Sequence, residues 1–459
     1  MAQDTTGGPI DGLGAGQFSG FWKRLRANPP GWRLTIGVLG VTTVLWVLGR
    51  MHTPSSHAFW PWFGPSMLLA ILAVGLMAVV LLATVRSPMI EPLFGGLDRA
   101  IRLHRQLAPW AVGLIVVHVA MLVPMTIGEG GSLGDLLIPF WSPTAFTPDS
   151  LALIALLIWT GFAYARWWSY EGWLALHNFI GPIFLIGTAI AIRNPGTTVV
   201  HYEPLRFWIW LLILVGLGAW AYRVAYRWIA PRFNYRVEAV TLRNHDTVDC
   251  ILRPQDRRML HEPGTFVFIN RPGPEGKRWE LHPFSVSSSP TERDLRISAR
   301  MVGDFTRALP AMAPGEPVEV FGPFGGFTPH RYARYRRLVC IGAGIGITPF
   351  MAMLRFEASN NDFRRIWLWY VARTEADAPY DDELQDAVET ADSYVDYELW
   401  LTSEKGRLTA QQVMEAVAPL DDYAVMLCGT PQFVRAMTKQ FVAAGLPRER
   451  VIAEDFYFR

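Results

Sequence analysis

Little in this chain ties it to an oxidising compartment or to a polyanion. Only three cysteines occur in 459 residues, Cys250, Cys340 and Cys428, all in the second half. They show neither metal-ligand spacing nor a disulfide pattern, which excludes a disulfide scaffold and fits a domain on the reducing side of a membrane. The formal net charge is only +2, so no nucleic acid is expected as a partner. The N-terminal residues 1–32 lack a packed-core pattern and read as a disordered cytoplasmic tail. No charged region sits at the extreme N-terminus and no small-residue cleavage site follows the first apolar run, so that run reads as a retained anchor. The stretch GEGGSLGDLLIPFWSPTAFTPDS carries three acidic residues and no Lys or Arg.

What is abundant is apolar. Hydrophobic residues make up 51% of the chain and there are 19 Trp, too apolar for a wholly soluble protein and too long for one ordinary domain. The excess lies before about residue 230, in six runs at 34–48, 63–85, 107–127, 151–165, 173–192 and 207–225. Arginines flank one side of this set: Arg33 before the first run, Arg86, Arg99, Arg102 and Arg105 between the second and third, Arg166 between the fourth and fifth, and Arg223, Arg227, Arg232 and Arg236 at the end. By the positive-inside rule, 33–229 is a six-span membrane domain in the cell membrane, with the N-terminus and the large C-terminal domain cytoplasmic.

Histidines stand inside this apolar half. His104 and His118 are 14 residues apart on the helix candidate 101–119, which leads into the third run; on a helix that is roughly 21 Å along nearly the same face. Ionisable groups at membrane depth are costly, and imidazole is a common ligand of haem iron. His177 opens the fifth run at a depth matching His104, so the pair is placed to ligate one iron from opposite sides.

Residues 233–328 read as short strands broken by Gly and Pro, the pattern of a small antiparallel barrel. Residues 335–459 alternate strands with helical stretches, as in a parallel α/β sheet. The barrel contains His282-Pro283-Phe284-Ser285-Val286-Ser287-Ser288, and Gly303-Asp304-Phe305-Thr306 opens a short helical stretch near Arg300, a charge partner for a pyrophosphate. Gly322-Pro323-Phe324-Gly325-Gly326 ends the barrel with glycines that permit close backbone approach. Gly342-Ala343-Gly344-Ile345-Gly346-Ile347-Thr348-Pro349 follows a strand and opens a helix; as a glycine-rich turn alone it is a weak signal. Cys428-Gly429-Thr430-Pro431 closes another strand, and its thiol is otherwise a buried structural one. Arg373 follows the second strand of the sheet, where a basic residue can meet the 2′-phosphate of NADPH; Arg407 is a second such residue, and either is otherwise a surface arginine.

Taken with the histidines, these motifs resemble the ferric reductase and NADPH oxidase superfamily of transmembrane cytochromes over nearly the whole chain from Arg33. The resemblance implies a six-helix haem bundle, then an antiparallel β-barrel FAD domain, then a ferredoxin reductase-like nucleotide domain. It implies haem b, one or two, held by His104 and His177 and by His118. It implies FAD against His282, Pro283, Phe284, Ser285 and Ser287, with Arg300, Gly303, Thr306, Gly322 and Gly325 near it, and Ser285 beside the reactive ring nitrogen. NADPH or NADH falls to Gly342, Gly344, Gly346, Thr348, Pro349, Arg373, Cys428 and Gly429. A terminal aromatic that stacks on the flavin is implied at Phe458, with Phe456 as second choice.

One family position is missing. A fourth histidine is expected near Ile190 or Ala191, and neither can ligate iron. His201 is the nearest substitute if Pro195 and Gly196 turn the chain back; otherwise the outer site is five-coordinate, ligated from the loop with His52 and His57, or absent. The implied activity is electron transfer from cytoplasmic NAD(P)H through FAD and haem across the lipid bilayer to an external acceptor, a ferric complex or O2. A single-haem reductase acting on a quinone or partner protein is the alternative, and a non-catalytic haem-binding transporter or sensor is another.

Overall fold

The structure, a computed structural model, describes residues 30–52, 63–138, 140, 147–165, 170–193, 197–271, 281–329, 335, 337–360, 365–390, 394–418 and 422–454. The tail, His57, Pro195, Gly196, Phe456 and Phe458 lie outside the described residues. The chain separates into two units, Met1–Trp228 and Ile229–Arg459.

The first unit is helical: α1 Pro30–Arg50, α2 Phe63–Leu82, α3 Leu97–Gly128, α4 Thr147–Tyr164, α5 Tyr170–His177, α6 Ile180–Ala191 and α7 Glu203–Ile229, with short helices at Leu133–Leu137 and Thr198–His201. Five stretches, counting Gly172–Ala191 as one, are long and apolar enough to cross a membrane, and a shorter apolar helix covers Ser150–Tyr164. Helix α2 has no charged residue and is buried along most of its length, as expected of a helix apolar on every side. It packs closely on α3, whose Trp110, Val116 and Val117 are exposed.

Two expectations about the spans change. Helix α3 begins at Leu97 rather than 107, because Arg99, Arg102 and Arg105 extend the helix beyond its apolar portion. The fifth span breaks at Asn178 and Phe179. Pro182 follows four residues after Asn178, so it lacks the N–H that would bond the Asn178 carbonyl and its ring clashes there.

In the second unit, β1 Phe233–Leu242, β2 Thr247–Pro254, β3 Phe266–Asn270, β4 His282–Ser285, β5 Leu295–Arg300 and β6 Pro317–Phe324 form an antiparallel sheet in the order β4-β3-β6-β1-β2-β5. A bridge between Val286 and Ile297 brings its two edges together, curling it around a core that includes Tyr235, Val267, Ile269, Ile297 and Val320. Then β7 Arg337–Ala343, β8 Arg365–Ala372, β9 Val395–Leu401, β10 Tyr423–Cys428 and β11 Val451–Glu454 form a parallel sheet ordered β11-β10-β7-β8-β9. Strand β7 is followed in sequence by its neighbour on one side, β8, while β10 lies on its other side. That is a topological switch point, where open α/β sheets bind ligands at the carboxyl ends of their strands.

Candidate active site

Helix α2 orients both histidines of α3. His104 Nδ1 lies 2.9 Å from the Val80 carbonyl oxygen. A carbonyl can only accept, so Nδ1 carries the proton and Nε2 keeps its lone pair. His118 Nδ1 is held by Ser66 in the same way, 3.0 Å from its carbonyl and 2.8 Å from its hydroxyl, while that hydroxyl donates to the His118 carbonyl at 3.0 Å. A metal-ligating imidazole characteristically has its other nitrogen fixed like this.

The His177 ring stands 5.9 Å from that of His104, centroid to centroid, at 74°. Two imidazoles on one metal, with bonds of ~2.0–2.1 Å, place their ligating nitrogens about 4 Å apart, which this separation accommodates. His177 stacks on Trp173 at 4.7 Å, and its Nδ1 is buried with no hydrogen-bond partner among the described residues. Asn178, next along the chain, accepts a hydrogen bond from Arg223 of α7. His118 lines a cavity of about 360 Å³ that Ala191 also lines. His201 ends its short helix exposed and is not among the lining residues, so the two are not brought together.

In the barrel, β4 runs beside β3 with Ser285 opposite Phe266. The Ser285 hydroxyl is poorly exposed and makes no hydrogen bond to protein among the described residues, leaving it available to a ligand. His282 stacks on Phe305 at 4.1 Å. Several neighbouring residues of these motifs have partners within the protein. Phe284 packs into the barrel core, since strand alternation turns it inward. The Ser287 hydroxyl is fully buried and bonded to the Arg296 carbonyl and Ser298. Arg300 pairs with Asp246 at 2.6 Å. Thr306 Oγ1 accepts from the Val302 and Gly303 N–H groups, and the helix it caps, Asp304–Ala308, has only five residues. Those N–H groups are therefore already satisfied.

The glycine loop sits at the switch point, with Gly342 of β7 registered against Cys428 of β10. A Cβ at Gly346 would stand 2.5 Å from the Cys428 carbonyl oxygen, and one at Gly342 2.8 Å from the Ile347 Cα. Gly344 has φ +56° and open space where its Cβ would be, so backbone can approach a ligand there. The Thr348 hydroxyl donates to the Ile345 carbonyl at 3.0 Å, and Thr348 and Pro349 are buried; their work is to turn the chain into helix α8, Thr348–Asn360. Cys428 is wholly buried in the core of this domain, where its side chain packs rather than facing solvent. Arg373 follows β8 exposed, with no ion pair among the described residues, and Arg407 is exposed as well.

Sequence reasoning missed the charged cluster between the barrel and the α/β domain. Asp249 of β2, 1% exposed, accepts from Arg296 Nη2 at 2.6 Å, Arg243 Nε at 2.5 Å and Tyr380 Oη at 2.8 Å. Arg296 continues to Glu383 at 2.7 and 3.0 Å, and Arg355 bonds Glu383 as well. Burial pushes the Asp249 carboxyl up, but Arg296, Arg243 and Tyr380 outweigh it and hold the group below its ordinary value of 3.8. Burial pushes the Cys250 thiol up to about 12, so it is unreactive. These residues are scattered over 140 positions of sequence, and no local motif marks them.

The two domains of the second unit and the imidazole-bearing bundle define a membrane flavoprotein of the NAD(P)H-linked oxidoreductase class. Family profiles agree: "Ferric reductase like transmembrane component" matches residues 69–188, "FAD-binding domain" 232–316 and "Oxidoreductase NAD-binding domain" 340–439. In the order and content of these three regions the chain is similar to the ferric reductase and NADPH oxidase superfamily. It is 27% identical over 227 residues to the ferredoxin reductase component of 3-ketosteroid-9-alpha-monooxygenase from Rhodococcus rhodochrous, covering 48% of this chain and 64% of that protein. It is 27% identical to NADPH oxidase 1 of Mus musculus, covering 37% of this chain and 30% of that one. The chain thus spans between about a third and two thirds of the length of these relatives. In fold it is similar to a flavohemoglobin from Malassezia yamatoensis, with TM-score 0.50, 18% identity, 86% of this chain covered and 98% of that one.

Proposed function

We propose that the protein carries electrons from cytoplasmic NAD(P)H through FAD and haem across the cell membrane to an external acceptor, a ferric complex or O2. The observation that carries this reading is the pair His104 and His177, two half-buried imidazoles 5.9 Å apart on two membrane helices, one with its Nδ1 fixed by Val80. When bound, FAD supplies the conversion of a two-electron hydride into single electrons, and haem iron carries those electrons one at a time. The chain's own residues bind and orient. Gly342, Gly344 and Gly346 admit the dinucleotide at the switch point. Arg373 offers a charge to a 2′-phosphate. The Ser285 hydroxyl donates to the flavin ring. His104 and His177 hold the inner haem.

The test is a haem and flavin assay on purified full-length protein, followed by anaerobic NADPH addition. Haem and FAD should copurify, NADPH should reduce both, and His104→Ala should leave flavin reduction intact while removing haem reduction. Flavin reduction in a preparation without any haem would defeat the proposal. In proteoliposomes, NADPH on one side should reduce ferricyanide on the other.

A further inference from the structure

The two α3 histidines are oriented by one device repeated at one interval. His104 and His118 are 14 residues apart, and so are the residues that grip them, Val80 and Ser66. His104 has a partner imidazole at His177. The residue 14 positions beyond His177 is Ala191, and it lines the same cavity as His118. That cavity, about 360 Å³, lies in the size range of small-molecule and cofactor sites.

The cavity walls from α4, α6 and 197–199 contribute no imidazole, thioether, thiol or carboxylate; their polar side chains are threonine hydroxyls. Thr188 donates to the Phe184 carbonyl and Thr197 to that of Ile192. Two methionines line the cavity elsewhere. Met125 is on α3 itself, seven residues and ~10 Å along the same face from His118, so it stands beside that ring rather than across from it. Met67 is adjacent to Ser66, on the side where Nδ1 is already held. Glu129, at the end of α3, is ~16 Å along the helix.

We infer that a haem held at His118 would find no second side-chain ligand opposite it among the described residues of this cavity, which makes the cavity a binding site for a small neutral iron ligand of the carbon monoxide class or for imidazole. The inference rests on the haem reading above and adds that this second site is five-coordinate. Ala191 is then the residue that decides specificity, because its methyl group leaves the space a ligating side chain would fill.

The experiment uses full-length protein purified with its haem. Two haems per FAD are expected, with about half the oxidised haem high-spin by electron paramagnetic resonance and one carbon monoxide bound per two reduced haems. Ala191→His should retain both haems, convert the high-spin signal to low-spin and weaken carbon monoxide binding at least tenfold. Met67→Leu and Met125→Leu should change neither. Imidazole added to the unaltered protein should give the same high-to-low-spin conversion, which keeps the test open if Ala191→His does not fold. Two low-spin haems that bind no carbon monoxide, or a single haem that only His104→Ala removes, would overturn this inference and leave the proposed function standing. Haem-free protein would overturn that function itself.

Discussion

The Val80 carbonyl oxygen lies 2.9 Å from His104 Nδ1, and this one contact determines which imidazole nitrogen is left with a lone pair. Because α2 and α3 run antiparallel with equal 14-residue intervals, Ser66 does the same for His118. Helix α2 contributes no histidine, yet it sets the tautomer of both histidines on α3.

His104→Ala and His177→Ala should each lower haem content by one equivalent per FAD, measured as pyridine haemochrome, with flavin content unchanged. Both should have the same effect, since either loss removes half of the pair proposed to hold the inner haem. His201→Ala should leave haem content unaltered, because that residue is exposed and apart from the His118 cavity.

Ser285→Ala removes a hydroxyl that has no hydrogen-bond partner among the described residues, so stability should change little. Flavin reduction in stopped-flow should slow about tenfold, the kinetic equivalent of losing one hydrogen bond of ~1.4 kcal/mol. Ser285→Thr should recover most of the rate. An unaltered rate in Ser285→Ala would remove this residue from the flavin site.

Gly346→Ala places a methyl group 2.5 Å from the Cys428 carbonyl oxygen, where backbone rather than a flexible side chain must shift. It should raise the KM for NAD(P)H by at least tenfold and lower thermal stability. Gly344→Ala meets open space and is opposed only by φ +56°, a cost of order 1 kcal/mol. Its effect should be smaller, and equal effects would contradict this assignment of roles.

Arg373 should distinguish the two nucleotides. Arg373→Ala should raise the KM for NADPH about tenfold and leave that for NADH within about twofold, since only the former carries a 2′-phosphate. A parallel change in both would reassign the arginine to the surface.

The Asp249 cluster predicts a specific acid sensitivity. Its carboxyl is held below 3.8 in the folded protein, so the unfolded chain binds the proton first as pH falls. The stabilisation is present above about pH 3.8 and disappears as pH drops through the folded value. Urea-induced flavin release should therefore become easier below pH 4 in the unaltered protein and show a weaker dependence in Asp249→Asn. Arg296→Ala takes one of two arginine partners from the buried Asp249 carboxylate and should cost about 1.5–3 kcal/mol at neutral pH.

Sequence alone determined the apolar half, the order of the bundle, barrel and α/β domains, and the positions of His104, His177 and the glycine loop, because each follows from a local period or a short motif. Tertiary structure decided what each motif residue does. Ser287, Phe284, Thr348 and Cys428 belong to motifs but are engaged in packing or in hydrogen bonds within the protein, whereas Ser285 in the same string is left available. The imidazole tautomers, the Asp249 cluster and the empty side of the His118 cavity bring together residues up to 140 positions apart. Such pairings depend on how helices and strands pack, and no spacing in one segment encodes them.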